Sequence, residues 1–309
     1  MFQKKAFGLL IFGWLMFNQF IHAQINAANK PNVVIIFTDD HRYDAVGVLG
    51  NGQVKTPNLD KLIHGGTTFT NAYIQGANSG AVCAPSRAQL LTGRGVFELP
   101  DGNGHYFPES MTSIPMAFKE EGYFTFITGK SHNGPEASMR GFIGGSKLFG
   151  LSNGYYIPHY RMPYQDFRED GAYGKEHLYF VDGGNNDVKL SPDKNMAHIG
   201  PHSSEIFAKS AVDFLEGYDK KQPFLLYLPF HAPHDTRNAP KKYHDMYSPS
   251  SIELQVNYLE MHPFDNGDLY IRDEKLAPYP RTERDTKNQL ADYYAIITHM
   301  DDQIGKVLH

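Results

Sequence analysis

The stretch NVVIIFT at residues 32–38 is a continuous apolar run that ends directly in Asp39 and Asp40. A run of this kind is typical of a β-strand that is buried on both faces, as in the parallel sheets of α/β proteins. Predicted helices and strands follow it, so the sequence predicts an α/β fold with a central, mostly parallel sheet. The later elements predicted from periodicity and turn residues are helices over 58–64, 113–121, 204–216 and from about 287, and strands over 67–73, 123–128 and 223–230.

Two long segments show little periodicity, and the last predicted helix carries an acidic pair. Residues 131–200 are rich in Gly, Asn, Tyr and Pro, and we predict long, ordered loops there and another loop-rich insertion over 231–284. Asp301 and Asp302 lie in the middle of the last helix, where we predict a solvated polar face.

The composition excludes some classes of protein. The chain has 309 residues, enough to bury a full core, and its 29 Lys and Arg against 34 Asp and Glu do not indicate a nucleic-acid surface. Its single cysteine cannot form an internal disulfide.

The first 23 residues predict a secretory signal peptide. Lys4 and Lys5 precede an apolar run from Phe7 to about Phe17, and Ala23 is a small residue at the expected cleavage point. The run is short for a bilayer span, and no later segment predicts one. We therefore expect an exported protein, periplasmic or secreted, whose mature part at 24–309 has no membrane span.

The only cysteine opens the stretch CAPSRAQLLTGR at residues 83–94. Pro85 suits the first turn of a helix, and Gly93 ends it. Cys83 then lies at the positive end of the helix, where an anion is favoured, and Arg87 projects from the same helix face. The alternative for a lone cysteine is a small buried apolar residue.

Two further sets of polar residues follow predicted strands, at the edge where α/β sheets place their sites. The adjacent carboxylates of Asp39 and Asp40 suit a hard divalent cation, although a capping pair in a loop is the alternative. Lys130 and His132 follow the strand that ends at 128. Lys130 is a candidate to pair with an anionic oxygen, and His132 to hydrogen-bond or to move a proton.

The third set follows the strand over 223–230 and reads His231-Ala232-Pro233-His234. His234 is the stronger candidate for a site residue, and His231 is the weaker one, since a turn with two exposed histidines is the alternative. Arg237 lies close by, and either a contact with an acidic substrate or a surface salt bridge fits it.

Together these segments resemble the type I, formylglycine-dependent sulfatases of the alkaline phosphatase-like superfamily. C-x-P-S-R followed by Thr-Gly-Arg is a long and specific match, and the strand ending in Asp-Asp, the G-K-x-H and the H-A-P-H segments recur in the same order. The resemblance runs from about 31 to 309, with the loops 135–200 and 238–284 contributing little. One departure is Ser131, where the family commonly has Trp.

The resemblance implies a nucleophile and a metal. It implies that a maturation enzyme converts Cys83 to formylglycine (3-oxoalanine), whose aldehyde hydrate attacks sulfur. It also implies that Asp39 and Asp40 bind Ca²⁺, with Mg²⁺ as an alternative, together with the formylglycine oxygen at position 83.

The same resemblance assigns roles to the basic residues. It implies that Lys130 and His234 contact the sulfate and that His132 contacts the formylglycine hydroxyl. With Arg87 offsetting charge near the nucleophile, the catalytic set is Cys83, Arg87, Lys130, His132 and His234. The substrate-binding set is Lys130, His234 and Arg237.

We therefore expect a sulfatase that hydrolyses sulfate esters, with a sulfated glycan as the first choice of substrate. A phosphate or phosphonate ester hydrolase of the same superfamily is one alternative. A non-catalytic binder of sulfated ligands is another, because the family's remaining metal ligands, a second sulfate-binding lysine and the smaller C-terminal domain have no counterpart up to His309. On this view the C-terminal part of the fold is missing.

Overall fold

A computed structural model describes residues 30–76, 81–150, 159–160, 162–170, 173, 177–179, 181, 200–265, 267, 269 and 277–309. The predicted signal peptide at 1–23 and most of the predicted loop between 151 and 199 lie outside the described residues. Among the helices in the described ranges, none is long and apolar enough to cross a membrane.

Four strands form one sheet in the order β1-β4-β2-β3, and β2 pairs in parallel with both β3 and β4. The strands are β1 (Val33–Asp39), β2 (Phe124–Lys130), β3 (Gly144–Phe149) and β4 (Phe224–Pro233). The helices are α1 (Pro57–Gly65), α2 (Cys83–Thr92), α3 (Ile114–Glu120), α4 (Pro135–Met139), α5 (Ser203–Gly217), α6 (Lys241–His244) and α7 (Glu283–Leu308). The predicted α/β class with a parallel sheet is confirmed.

Residues Val34–His309 form one compact unit, which contains the described helices and strands apart from the first residue of β1.

Both faces of the sheet are covered by apolar side chains. Along β4, Leu226 and Leu228 join a cluster that includes residues of α5 and α7, while Tyr227 between them joins a second cluster with residues of α2. On β1, Ile36 packs against the first cluster and Phe37 against the second. Because successive side chains of a strand point to opposite faces, this division explains why the strand sequences are apolar without alternation.

The last helix supplies much of the first cluster. The apolar residues predicted from its helical spacing are buried, with Tyr294, Ile297, Met300 and Ile304 each at most 1% exposed. α7 packs against α1, α5, α6 and β4. Helix α7 is therefore central to the core, as an apolar stripe at this period predicts.

The predicted strand over 67–73 is wrong. The segment forms no strand, and its apolar side chains are solvated, with Phe69 80% and Tyr73 88% exposed. Residues of high β-propensity form a strand only where a neighbouring strand and a packed face receive them.

The prediction of loops alone over 131–200 is also wrong in part. It missed the short helix α4 and the edge strand β3, which pairs with β2. The GGSK start of β3 has neither apolar alternation nor an apolar run, so the sequence gives no strand signal there.

The prediction of a solvated face at Asp301 is wrong, because this side chain is fully buried. Its carboxylate accepts hydrogen bonds from the backbone N–H groups of Asn58, at 3.0 Å, and of Leu59, at 2.8 Å. These are first-turn donors of α1, which have no partner within their own helix. Asp301 therefore acts as a capping residue supplied by a distant helix, and only Asp302 beside it is partly exposed.

Replacement of Asp301 tests this capping contact. In Asp301→Ala two partly buried N–H groups lose their acceptor, so we expect the free energy of unfolding to fall by about 2 kcal/mol. Urea denaturation followed by circular dichroism measures the change. Arg284→Ala, an exposed change on the same helix, is the control and should cost less than about 0.5 kcal/mol. Equal midpoints for the two variants would contradict the capping role.

Candidate active site

A buried ion cluster forms where β1, β2 and α2 meet. Asp39 ends β1, Lys130 ends β2, and Arg87 lies in the second turn of α2. The Nζ of Lys130 donates to Oδ2 of Asp39 in a short contact, and Nη2 of Arg87 lies 3.1 Å from the same oxygen. All three side chains are buried. Residues from three separate sequence motifs are thus brought into direct contact.

Arg87 also joins two strands, β2 and β4, through their backbone. Its Nη1 donates to the carbonyl oxygen of Lys130 at 3.1 Å, and its Nη2 to that of Phe230 on β4 at 3.4 Å. The guanidinium carbon lies 5.0 Å from the centroid of the Phe37 ring on β1. The structure therefore places Arg87 among Asp39, two carbonyls and an aromatic ring, within the sheet's end rather than on an open surface.

The charges in this cluster decide which groups are ionised. Burial raises the pKa of Asp39, but Arg87 and Lys130 outweigh it and hold that pKa well below its usual range. Burial also raises the pKa of the half-buried Cys83 thiol, and the neighbouring charges only partly oppose this. At neutral pH Asp39 is therefore a carboxylate and Cys83 a thiol, not the thiolate of a cysteine nucleophile.

Two glycines allow the backbone to approach closely around this cluster. Gly129, just before Lys130, has φ 132°, and a Cβ there would lie 2.1 Å from the carbonyl oxygen of Pro229. Gly104 has φ 66°, and a Cβ there would lie 2.7 Å from Cα of Pro85 in α2. Neither position accepts a side chain without backbone movement.

Asn133 holds the start of α2 in place, and sequence reasoning missed it. This buried amide donates from Nδ2 to the carbonyl oxygen of Ala84 at 2.8 Å, and to that of Gly104 in a short contact. The loop at 104 and the first turn of α2, which begins at Cys83, are thereby fixed to the segment after β2. An Asn beside the G-K-x-H segment was the available signal.

His132 lies two residues past the ion cluster and is neutral. Burial, and then the nearby charges of Lys130 and Arg87, lower the pKa of His132 to about 3. Its Nδ1 is buried and makes no hydrogen bond to any residue that the structure describes. A neutral imidazole with an unused nitrogen can either donate or accept a hydrogen bond at that atom.

Two histidines at the end of β4, His231 within the strand and His234 just after it, have pKa values shifted in opposite directions. Nδ1 of His234 lies 2.8 Å from the backbone oxygen of Asp235 and 2.8 Å from its carboxylate Oδ1. Burial lowers the pKa of His234, but the hydrogen bond to Asp235 outweighs it, so the pKa is raised overall. His231 is buried, and burial holds its pKa well below the usual value, so it is neutral. His231 is therefore not an exposed histidine of a turn, so that alternative is wrong for this residue. Sequence reasoning also missed Asp235, which contacts His234.

The second acidic residue lies at the rim of the site. Asp40 has φ 62° and an exposed side chain whose Oδ2 lies 3.7 Å from Nη2 of Arg237. The Arg237 guanidinium carbon lies 4.8 Å from the centroid of the Tyr293 ring, and the Tyr293 hydroxyl donates to the Asp40 carbonyl at 2.6 Å. Tyr293, from α7, was predicted only as part of a helix. The sequence did not decide whether Arg237 forms a salt bridge. In the structure its guanidinium lies beside the Asp40 carboxylate.

The donor set fits a hard divalent cation in kind but not in number. Asp39 and Asp40 supply carboxylate oxygens, and Lys130, Arg87 and His231 all approach Asp39 at its Oδ2. Calcium takes six to eight oxygen ligands. Within the described ranges no group of three or more His, Cys, Asp or Glu is arranged to hold a metal ion. The two carboxylates therefore form part of a possible metal site, and further ligands are needed to complete it.

An α/β sheet that carries such a cluster at its strand ends, beside the start of a helix, is an arrangement for handling a small anion. Residues 31–309 match the family model described as Sulfatase, so the chain belongs to the sulfatase family.

Relatives and solved structures agree with this membership. The chain is 30% identical over 292 residues to an ulvan-active sulfatase of Formosa agariphila, a match that covers 92% of this chain and 48% of the relative. It is 29% identical to an arylsulfatase of Clostridium perfringens over 90% of this chain and 59% of the relative. The chain thus spans about half the length of the curated relatives it matches.

The fold has a counterpart among solved structures. A protein solved in complex with its substrate D-glucosamine-2-N,6-O-disulfate aligns with a TM-score of 0.64 at 21% identity. The alignment covers 91% of this chain and 62% of that one. The alkaline phosphatase-like fold predicted from the sequence is confirmed.

Removing Arg87 tests how far the ion cluster supports the fold. In Arg87→Met the Asp39 carboxylate keeps only Lys130, and two carbonyls lose a donor, so we expect a loss of about 3 kcal/mol in the free energy of unfolding. Arg42→Met is the matched control, since Arg42 pairs with Asp44 at 2.6 Å but both side chains are about half exposed. The control should lose less than about 1 kcal/mol in urea denaturation. A loss no larger than that of the control would show that the cluster does not support the fold.

The charge of His234 provides a test of pH dependence. Asp235→Asn removes the carboxylate that raises the pKa of His234, so this pKa should fall in an NMR titration of histidine ring signals. Because the folded pKa is raised, the contact stabilises the fold below the unfolded value of about 6.5, and this is lost as pH rises through the folded pKa. The stability difference between wild type and Asp235→Asn should therefore shrink from pH 6 to pH 9. Asp44→Asn, remote from His234, is the control, and an unchanged His234 pKa in Asp235→Asn would refute the pairing.

Proposed function

We propose that the protein is a sulfuric ester hydrolase that acts on sulfated carbohydrates. The observation that carries this proposal is the position of Cys83, at the first residue of α2 and beside the buried cluster of Asp39, Arg87 and Lys130. Family membership supports the reaction class. The substrate class is supported by the relative described as an ulvan-active sulfatase and by the solved structure with a disulfated glucosamine.

The proposed nucleophile is a formylglycine made from Cys83 by a maturation enzyme. That group would supply an aldehyde hydrate with two hydroxyls, of which one would attack sulfur and the other would allow the sulfated intermediate to release sulfate and restore the aldehyde. The raised pKa of the thiol supports this proposal, because unmodified Cys83 is not prepared to react as a thiolate. The orphan N–H groups at the start of α2 favour negative charge at the same position.

Lys130 and Arg87 have different proposed roles. The ammonium of Lys130 is held at the strand end by Asp39 and offsets the negative charge of the sulfate. Arg87 contacts Asp39 and two backbone carbonyls. We therefore propose that it holds the Asp39 side chain and the strands β2 and β4 in position. His132, neutral and with a free Nδ1 among the described residues, contacts the hydroxyl at position 83.

His234 is proposed as the group that binds sulfate and protonates the leaving oxygen. Asp235 occupies its Nδ1, which leaves Nε2 as the atom available to the substrate. The raised pKa keeps a larger fraction of His234 protonated near neutral pH, as a general acid requires. Arg237, on the rim beside Asp40, contacts acidic groups of the substrate.

Asp39 and Asp40 are proposed to hold Ca²⁺, with Mg²⁺ as the alternative, together with the oxygen at position 83. Such an ion supplies Lewis-acid polarisation of the sulfate and lowers the pKa of the attacking hydroxyl. We further propose that the protein is exported through the signal peptide predicted at residues 1–23, to the periplasm or beyond the cell.

Mass analysis of residue 83 tests the nucleophile directly. After co-expression with a maturation enzyme, we expect the peptide with Cys83 to lose sulfur and gain an aldehyde oxygen, and Cys83→Ala to remain unmodified and inactive. Ser86→Ala leaves Cys83, Pro85 and Arg87 in place. This variant therefore shows whether the maturation enzyme also needs Ser86 to recognise the motif. An unmodified thiol despite active maturation machinery would remove the catalytic proposal.

Matched substrates separate the alternatives. The 4-nitrophenyl sulfate and 4-nitrophenyl phosphate esters share one leaving group, so the ratio of kcat/KM between them reports the preferred anion. A higher value for sulfate supports the proposal, and a higher value for phosphate supports the phosphate ester hydrolase. Binding of sulfated sugars with no turnover of either ester by the modified protein indicates the non-catalytic binder.

A further inference from the structure

Five imidazole rings follow one another through the interior, from the end of β4 to the middle of α7. Neighbouring ring centroids are 4.8, 4.6, 4.6 and 4.5 Å apart along this row. In order, the rings belong to His234, His231, His159, His202 and His299. The last four are at most 5% exposed, so a buried histidine row leads from the candidate site into the core.

His159, in the centre of the row, makes a direct contact with the backbone of the site. Its Nε2 lies 2.9 Å from the carbonyl oxygen of His234, and its Nδ1 lies 2.7 Å from Oγ of Ser203. A carbonyl oxygen only accepts, so Nε2 of His159 carries the proton and Nδ1 accepts from the Ser203 hydroxyl. The contacts thus specify a single neutral tautomer of His159.

The other side of His159 is fixed to the start of α5. Ser203, the first residue of α5, is fully buried, and its backbone N–H donates to the carbonyl oxygen of His159 at 2.8 Å. The His159 ring stacks on His202, the N-cap residue of α5, with 7° between the ring planes. His159 is therefore held by a helix start on one side while it donates to the site on the other.

Burial keeps this donor in one state. It lowers the pKa of His159 to about 3, so the imidazole stays neutral at any pH near neutrality. Its partner His234 has the opposite character, with Nδ1 turned to Asp235 and a raised pKa.

We propose that His159 is a positioning residue for His234. By donating Nε2–H to the His234 carbonyl, it fixes the peptide that joins His234 to Asp235. The position of that peptide determines the orientation of the His234 ring. In this orientation Nδ1–H faces Asp235, and Nε2 is available to bind the anion. The functional consequence rests on the proposed role of His234 as a sulfate-binding group, whereas the contact itself does not.

The tautomers test the contact without any need for activity. With the full chain labelled with [¹⁵N]histidine, long-range ¹H–¹⁵N spectra identify which ring nitrogen carries the proton. We expect Nε2–H for His159 and Nδ1–H for His234, with signals assigned through His159→Gln and Asp235→Asn. An Nδ1–H tautomer of His159 overturns the proposal, because that tautomer cannot donate to the carbonyl from Nε2.

Anion binding tests the consequence, with inorganic sulfate as the probe in isothermal titration calorimetry. His159→Phe keeps a planar ring but no donor, and we expect it to weaken sulfate binding at least about tenfold. His159→Gln keeps an N–H donor and should recover most of the affinity. The control His299→Gln changes an equally buried ring at the far end of the row and should leave the affinity unchanged.

The outcomes separate the inference from the proposed function. A folded His159→Phe that binds sulfate as the wild type does overturns the positioning role, and so does an equal loss in His299→Gln. If His159→Phe does not fold, the comparison of His159→Gln with wild type, together with the wild-type tautomers, decides the matter. Wild-type protein that shows the expected tautomers but binds no sulfate supports the contact and contradicts the proposed function instead.

Discussion

The structure depends on one buried carboxylate that is held by two cations. Asp39 takes both Lys130 and Arg87 on a single oxygen, and each of the three residues is at most 5% exposed. Ions in a poorly polarisable interior lose their hydration, so each member persists only because the others compensate for it. Two positive charges against one negative leave an excess of one positive charge beside Cys83. An anion bound there would complete the local charge balance, which is why the cluster suits a sulfate.

The same cluster also explains how the sheet and the first turn of α2 are kept together. Arg87 comes from a helix and donates to the carbonyls of Lys130, the last residue of β2, and of Phe230, near the end of β4. Strand ends leave carbonyl groups that the ladder does not use, and a planar guanidinium has enough donors to reach several of them. The position of Cys83 therefore follows from the hydrogen bonds of Arg87, four residues later in the same helix.

Much of the fold and part of the site could be predicted from the sequence, for reasons that are local. Gly93 ends α2 in a left-handed conformation with φ 65°, and the apolar run before Asp39 forms the strand β1. The prediction that this strand is buried on both faces is wrong, because β1 lies at the edge of the sheet and its residues before Asp39 are half-buried, with Val34 40% exposed. Other predictions that were wrong or missing concern residues whose partners lie far away in the sequence. Asp301 looks like any solvated helix residue until α1 places its first N–H groups against it, and nothing near His159 in the sequence points to His234. The segment 67–73 failed for the same reason, since its β-propensity finds no strand in the described residues to pair with.

His231, near the end of β4, and His234, just after it, show how the environment, and not the residue type, decides the pKa of an imidazole. His231 and His234 lie three residues apart and their rings are 4.8 Å from each other, yet burial keeps the first neutral while the pKa of the second is raised. His231 does have a carboxylate near it, since its Nδ1 lies 4.0 Å from Oδ2 of Asp39. Lys130 and Arg87 contact the same oxygen, and after burial their positive charges oppose protonation of His231. Asp235 contacts His234 directly, and this hydrogen bond outweighs the effect of burial on the pKa of His234. Because the carboxylate near His231 is shared with two cations, whereas Asp235 contacts His234 directly, His234 is the one of these two rings that is suited to hold a proton.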